Sequence, residues 1–170
     1  MNIQLELLAA EDAAALLAFE IENRTFFESS VPGRGDGYYQ PEGFQERQGV
    51  LLDEQEGGES FFYLIKDEKG GILGRVNLVD IDKQERCGSL GYRISENQCG
   101  KGIAAKAVGM LIDELPALGV KRVDAKTTPN NAASQRVLEK NGFEMTENSL
   151  VGISGSKEDA QFIYYSWIQN

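Results

Sequence analysis

The sequence contains no histidine, and this absence excludes several classes of active site. Histidine is the commonest general base and the commonest metal ligand among side chains, so histidine-dependent catalytic triads and histidine metal centres are excluded. Cysteine is also scarce. The two cysteines, Cys87 and Cys99, do not form a disulfide framework and are typical of a reduced cytosolic protein.

Long apolar runs and an excess of basic residues are also missing. No apolar segment approaches the length that spans a bilayer, and the N-terminus has neither the basic region nor the uninterrupted apolar core of a signal peptide. The 17 basic and 27 acidic residues give a formal net charge of −10, which argues against a general nucleic-acid binder and favours a cationic partner. We therefore expect a cytoplasmic protein that binds neither membranes nor nucleic acid directly.

Length and hydrophobic periodicity predict one mixed α/β domain over residues 1–170. A chain of this length can bury a core without metals or disulfides. Alternating apolar residues predict strands, and apolar residues three and four positions apart predict helices. The predicted strands are residues 3–8, 61–66, 72–81, 89–94, 120–127, 143–151 and 161–167. The predicted helices begin near residue 11, cover residues 41–54, follow residue 102 and cover residues 132–140, with loops at residues 23–39 and 154–159.

A glycine turn precedes the strongest amphipathic helix and indicates an anion site. The strand that ends at Ile94 leads into Gly100-Lys101-Gly102, and the helix follows directly. Glycine lacks a Cβ atom, so its backbone N–H group can approach a ligand closely. The first turn of a helix leaves further N–H groups unpaired at the positive end of the helix dipole. This pattern predicts a cradle for a phosphate or pyrophosphate, although a plain strand-to-helix turn has the same glycines.

A second group of polar residues lies about thirty positions further along the chain. Pro129-Asn130-Asn131 ends a predicted strand, and Asn131 can cap the helix that follows. Ser134 lies three residues later, so both side chains share one face of the first turns. Taken alone, this spacing favours a helix cap with a bystander serine over two residues that face a ligand.

Together the two motifs resemble the Gcn5-related N-acetyltransferase (GNAT) superfamily, and within it the RimJ and RimL group of ribosomal-protein N-terminal acetyltransferases. The resemblance is carried by Gly91-Tyr92-Arg93-Ile94 with Gly100-Lys101-Gly102-Ile103-Ala104, and by Pro129-x-Asn131-x-x-Ser134-x-x-Val137-Leu138-Glu139-Lys140-x-Gly142-Phe143. Residues 22–28 also resemble the N-terminal region of that group. The resemblance implies a mostly antiparallel central sheet of about seven strands with four helices on its two faces.

The resemblance further implies an acetyl-CoA-dependent N-acetyltransferase and the residues that serve it. In the family the glycine turn holds the pyrophosphate of acetyl-CoA, the preceding strand pairs with the pantetheine arm, and backbone N–H groups polarise the thioester carbonyl. The motif serine can protonate the departing thiolate, which makes Ser134 the implied general acid. No metal is implied. The implied cofactor-binding residues are Leu90, Tyr92, Ile94, Gln98, Gly100, Lys101, Gly102, Ile103, Ala104 and Asn131.

The sequence departs from the superfamily in two places and leaves the general base open. Asn97 stands where Gln or Arg is usual, and no tyrosine lies between residues 131 and 142, where many members carry the acid. The acid role therefore rests on Ser134. Without histidine, the base is a carboxylate or an ordered water, and the candidate carboxylates are Glu28, Asp80 and Glu85.

The acceptor is the least determined part of this interpretation. The resemblance implies a primary amine, and the acidic chain favours a cationic protein N-terminus, bound by a monomer or a homodimer. A polyamine, an aminoglycoside or another small amine stays open, because one fold hosts many acceptors. A coenzyme A-binding sensor without turnover is the alternative of another class, motivated by the missing tyrosine and base. An ATP-binding protein is disfavoured, because no Walker-type set of residues is present.

Overall fold

The computed structural model describes residues 2–146 and 162–170, which form a seven-stranded mixed sheet with helices on both faces. The strands are β1 Gln4–Leu7, β2 Phe61–Lys66, β3 Ile72–Asp82, β4 Cys87–Ile94, β5 Arg122–Thr127, β6 Glu144–Met145 and β7 Ile163–Ile168. The α-helices are α1 Ala13–Glu22, α2 Arg24–Glu28, α3 Pro41–Glu56, α4 Ile103–Leu118 and α5 Ala132–Lys140. Among the described residues, no helix is long and apolar enough to cross a bilayer.

The strand order is β1-β2-β3-β4-β5-β7-β6, and only β4 and β5 run parallel. This arrangement confirms the predicted mostly antiparallel sheet. A parallel pair needs a crossover connection, and α4 supplies it. Because of this crossover, the N-terminus of α4 lies at the end of the sheet where β4 finishes.

Strands β4 and β5 pair over only a short stretch and then diverge. Their paired residues run from Cys87 with Arg122 to Ser89 with Asp124. Beyond this point β4 stays paired with β3, and β5 stays paired with β7. The edge of β4 from Leu90 to Ile94 is therefore without a strand partner in the described chain, and a gap opens between the two parallel strands.

The sheet separates two hydrophobic cores. Helices α4 and α5 pack on one face, where Val108, Leu111 and Leu138 are buried. Helices α1, α2 and α3 pack on the other face, where buried apolar residues include Leu16 and Phe44. Strand β2 is apolar from Phe61 to Ile65 because its alternate residues pack in the two different cores.

The predicted loop at residues 23–39 contains the short helix α2, so residues 2–146 and 162–170 contain five α-helices, one more than predicted. The helix forms because Phe27 is buried against Phe19, with ring centroids 5.8 Å apart, and because Arg24 and Glu28 form an ion pair one turn apart. A 3₁₀ turn at Asp36–Tyr39 ends the same segment. Helix α3 extends two residues beyond its predicted end.

The predicted last hairpin is described only in part. Strand β6 covers Glu144–Met145 of the predicted strand 143–151, and β7 begins at Ile163. The rest of the predicted strand 143–151, the predicted loop 154–159 and the first predicted residue of the final strand lie outside the described residues.

Candidate active site

The glycine turn before α4 exposes a continuous row of backbone N–H groups. Gly100 and Gly102 both have φ angles of +78°, a left-handed conformation that glycine adopts without strain. A Cβ atom built at either glycine would meet nothing within 4 Å. The first helical N–H group with a backbone acceptor is that of Lys106, which donates to the Gly102 carbonyl at 3.2 Å. Within the described chain, the N–H groups of residues 100–105 have no acceptor, so they are free to bind an anion.

The gap between β4 and β5 leads to this turn. Leu90, Tyr92 and Ile94 lie along the unpaired part of β4 and are half-buried. The crossover brings the end of β4 and the start of α4 to the same side of the sheet. Lys101 reaches back from the turn, with its Nζ 3.3 Å from Gln98 Oε1. The gap and the turn together fit an extended arm that is joined to a pyrophosphate, as the pantetheine arm of acetyl-CoA is joined to the pyrophosphate that precedes its adenosine.

Asn131 and Ser134 border the same gap from the β5 side. The Asn131 Oδ1 accepts the Ser134 N–H at 3.1 Å, so the predicted helix cap is confirmed. The side chain of Asn131 is exposed, and its Nδ2 group makes no hydrogen bond within the described residues. One half of the amide therefore stabilises α5, and the other half can donate to a ligand.

A tyrosine from β4 contacts Ser134. The Tyr92 hydroxyl lies 2.8 Å from Ser134 Oγ, and either group can be the donor. Burial raises the pKa of Tyr92 above its usual value, and the hydrogen bond to Ser134 opposes this rise. Tyr92 therefore stays protonated at neutral pH and can pass a proton to Ser134. Sequence reasoning assigned Tyr92 to cofactor binding and missed this contact, because nothing in the local sequence relates two residues 42 positions apart.

A cavity of about 700 Å³ lies on the opposite face of β4, between the sheet, α3 and the segment before it. The cavity reaches the backbone of β4 at Gly91, because a Cβ atom there would meet nothing within 4 Å. No carboxylate from the described residues lines the cavity. Four arginines line it, namely Arg34, Arg47, Arg75 and Arg93.

Glu20 of α1 lies beneath these arginines and is fully buried. Its carboxylate is 2.8 Å from Arg75 Nη1, 3.3 Å from Arg93 Nη1 and 3.9 Å from Arg34 Nη1. Burial lowers the pKa of Arg93, but an arginine remains charged in proteins. The single carboxylate therefore leaves an excess of positive charge at the cavity. Sequence reasoning did not identify Glu20, because an acid on an amphipathic helix gives no sign of burial.

The structure does not bring the three candidate bases into the cavity. Glu28 is paired with Arg24 at 3.0 Å. Asp80 is an exposed residue with a φ angle of 53°, at a register irregularity between β3 and β4. Glu85 lies in the turn before β4, about 20 Å from Gly91 along the extended strand. An ordered water thus stays the simplest predicted proton acceptor.

Cys99 lies next to the glycine turn without the features of a reactive thiol. Its Sγ is 3.4 Å from the Ser95 carbonyl oxygen, and burial, followed by the negative charge of Glu96, raises its thiol pKa. Within residues 2–146 and 162–170, no group of three or more His, Cys, Asp or Glu side chains could hold a metal ion.

Comparisons with known proteins agree with this geometry. A family profile described as an acetyltransferase (GNAT) domain matches residues 2–144. The probable N-acetyltransferase YjcK of Bacillus subtilis is 33% identical over 161 residues, which cover 92% of this chain and 89% of that protein. The ribosomal-protein-S5-alanine acetyltransferase of Vibrio fischeri superposes with a TM-score of 0.89 at 25% identity, covering 100% of this chain and 94% of that one.

A third relative shares the fold at lower sequence identity. The spermidine N-acetyltransferase of Vibrio cholerae, solved in complex with CoA and spermine, has a TM-score of 0.78 and 15% identity, and the match covers 98% of this chain and 95% of that one. Proteins of this fold thus act on different amines, and the fold alone does not identify the acceptor.

Proposed function

We propose that this chain, which belongs to the GNAT acetyltransferase family, acetylates the α-amino group at the N-terminus of a protein. Family membership makes it an acetyl-CoA-dependent N-acetyltransferase. The acceptor assignment is supported by the full-length likeness to the S5-alanine acetyltransferase of Vibrio fischeri. The observation that carries the proposal is that the gap between β4 and β5 and a separate cavity reach β4 from two sides, at Gly91 and Tyr92.

The residues around the gap would bind acetyl-CoA, which supplies the acetyl group as an activated thioester. The N–H groups of residues 100–105 would hold the pyrophosphate, and the free edge of β4 would pair with the pantetheine arm. Asn131 Nδ2 would donate to the same arm. Backbone N–H groups of β4 near Gly91 would stabilise the oxygen that becomes negative when the amine attacks.

On the other face, the missing side chain of Gly91 would let the amine reach the carbonyl carbon from the cavity. The nitrogen–carbon bond forms as the carbon–sulfur bond breaks, and water takes the proton that the amine loses. Ser134 would donate its hydroxyl proton to the departing sulfur, and Tyr92 would restore that proton through their 2.8 Å hydrogen bond and regain its own from the water that took the amine proton. The products are an N-acetylated chain and a free thiol.

The first experiment is a thermal-shift titration with acetyl-CoA, CoA and ATP. A ligand that binds only the native state raises the unfolding midpoint by mass action. We expect both coenzymes to raise the midpoint and ATP to leave it unchanged. A protein that responds to neither coenzyme would not support the cofactor site assigned to the gap.

The second experiment tests the acceptor and the acid together. The protein and acetyl-CoA are incubated with three kinds of acceptor, and thiol release and acetylation are measured. The acceptors are peptides with a free N-terminus, the same peptides with a blocked N-terminus and an internal lysine, and spermidine. We expect acetylation at free α-amines only, and a loss in kcat of about a hundredfold in Ser134→Ala with coenzyme binding retained. Acetylation of lysine or spermidine alone would contradict the proposed acceptor.

A further inference from the structure

The charges in the cavity identify a class of acceptor. We infer that the acceptor carries an acidic group close to the amine that is acetylated, as in a protein whose second residue is Asp or Glu. This inference rests on the proposed function of the cavity as the acceptor site. It assigns a substrate preference that the acidic composition of the whole chain does not predict.

The first observation is the excess of positive charge. Four arginines line the cavity, no carboxylate from the described chain does, and the buried Glu20 is the only acid that pairs with them in the described residues. Arg47 on α3 is exposed at the cavity and has no acidic partner within residues 2–146 and 162–170. Repulsion among these guanidinium groups would fall if an anionic ligand entered the cavity.

The second observation is a pair of buried polar atoms without partners. Arg75 is 4% exposed, and its Nε–H has no acceptor, although its Nη1 is paired with Glu20. The side-chain oxygen of Asn77 is also buried without a donor. Both residues line the cavity. Unpaired buried groups are costly, and a ligand that brings both an anion and an N–H donor would satisfy both atoms.

The strand register defines the distance between the anion that Arg75 lacks and the N–H donor that Asn77 lacks. Asn77 lies opposite Gly91, and Arg75 lies opposite Arg93, so all four positions point to the cavity face of the sheet. Neighbouring positions on one face of a strand are about 7 Å apart. An amine held by the Asn77 oxygen at Gly91 would therefore have its anion about 7 Å away, between Arg75 and Arg93. An acidic side chain at the second residue of a peptide spans this distance, whereas an Asp at the first residue is too short.

The same charges disfavour a polyamine. Spermidine-like acceptors would bring additional ammonium groups against an arginine lining, and like charges repel in a partly desolvated cavity. The discrimination thus comes from repulsion of cationic acceptors as well as from attraction of anionic ones.

The test compares matched acceptor peptides that differ at one position. Three peptides share one sequence and carry Asp, Asn or Lys at the second residue, and steady-state acetylation gives kcat/KM for each. We expect the Asp peptide to exceed the Asn peptide by about tenfold or more, and the Lys peptide to be the poorest. Thermal shifts of the CoA-bound protein with each peptide give the same ranking without turnover.

Arg47→Gln tests the origin of the preference. Arg47 is exposed, so its replacement leaves the buried cluster intact, whereas an Arg75 variant could fail to fold. We expect Arg47→Gln to lower kcat/KM for the Asp peptide severalfold more than for the Asn peptide, so that the ratio of the two values falls. Arg122→Gln is the matched control, because Arg122 begins β5 away from the cavity and pairs only with the exposed Asp124 in the described chain.

The outcomes separate this inference from the proposed function. Equal rates for the three peptides, or a preference for Lys, would overturn the inference while the N-terminal acceptor stands. If no peptide reacts but small amines with a carboxylate or a phosphate do, and Arg47→Gln slows them, the anion preference holds and the protein acceptor fails. If the CoA-bound protein neither acetylates nor binds any of these acidic compounds, the inference is wrong.

Discussion

Replacing Glu20 by glutamine should destabilise the protein more than any other single charge removal that we consider. The Glu20 carboxylate is fully buried and is the acid that neutralises Arg75 and Arg93. Glutamine keeps a similar volume and one acceptor oxygen, but its amide group would point N–H donors at a guanidinium. The buried arginine would then keep its charge without a counterion, while its Nε–H is already unpaired.

The expected magnitude follows from the burial of the pair. Removing one partner of a buried ion pair costs about 3–5 kcal/mol, because the remaining charge stays desolvated. We expect the lower end, about 3 kcal/mol, since Arg93 and Arg34 are partly exposed and can be hydrated. For a domain of 170 residues this loss corresponds to a drop in the thermal midpoint of roughly 6–12 °C.

The assay is equilibrium urea unfolding at neutral pH, with thermal unfolding as a second measure. Glu28→Gln is the control, because Glu28 forms an exposed pair with Arg24 and exposed pairs contribute little, so its midpoint should stay close to wild type. If Glu20→Gln unfolds at the same urea concentration as the control, the buried cluster does not carry the stability argued above. A changed slope of the unfolding transition would instead indicate that the denatured or native state had changed.

Two further variants test the two sides of β4. Tyr92→Phe should lower kcat severalfold and leave the KM for acetyl-CoA unchanged, because only the proton path to Ser134 is lost. Burial raises the pKa of Tyr92 in the folded state, so the native protein binds this proton more tightly than the unfolded chain does. The stability that results is present below pH 10 and is lost as the pH rises through the folded pKa. The loss of folding stability at alkaline pH should therefore be smaller in Tyr92→Phe than in wild type. Gly91→Val should place a side chain in the cavity and raise the KM for the acceptor at least tenfold, while the thermal shift with CoA persists; a lost CoA response would contradict the separation of the two sites.

Local patterns predicted the elements of the fold well because each pattern reflects one local cause. The predicted helix 132–140 agrees with α5 because a capping asparagine begins it and Asn141-Gly142 ends it. Strands β4 and β5 diverge after Ser89 and Asp124, which leaves β4 with the free edge that the resemblance implied for the pantetheine arm. The short helix α2 was missed because aromatic residues packed against Phe19, a tertiary contact, stabilise it.

The cavity side of the site could not be predicted, because its residues come from separate elements. Glu20 lies 55 positions before Arg75 and 73 positions before Arg93 in the sequence. Only the tertiary fold and the sheet register bring the three residues together. The contact between Tyr92 and Ser134 likewise joins residues that are 42 positions apart in sequence and meet only in the folded protein. By contrast, the glycine turn between a strand and the start of a helix was predicted, because all its determinants are neighbours in sequence, and the structure adds that Gly100 and Gly102 have left-handed backbone conformations.

Net charge explains why the expected acceptor and the inferred acceptor differ in sign. The total of −10 sums over the whole surface and led to the expectation of a cationic acceptor. Four of the 17 basic residues, however, are among the eleven residues that line one cavity, so the local charge is opposite to the total. At physiological ionic strength, charges more than about 8 Å away are largely screened at an exposed surface, whereas those in a partly buried cavity are not. An acceptor that reached Gly91 in the proposed site would therefore interact chiefly with the arginines, whatever the sign of the net charge.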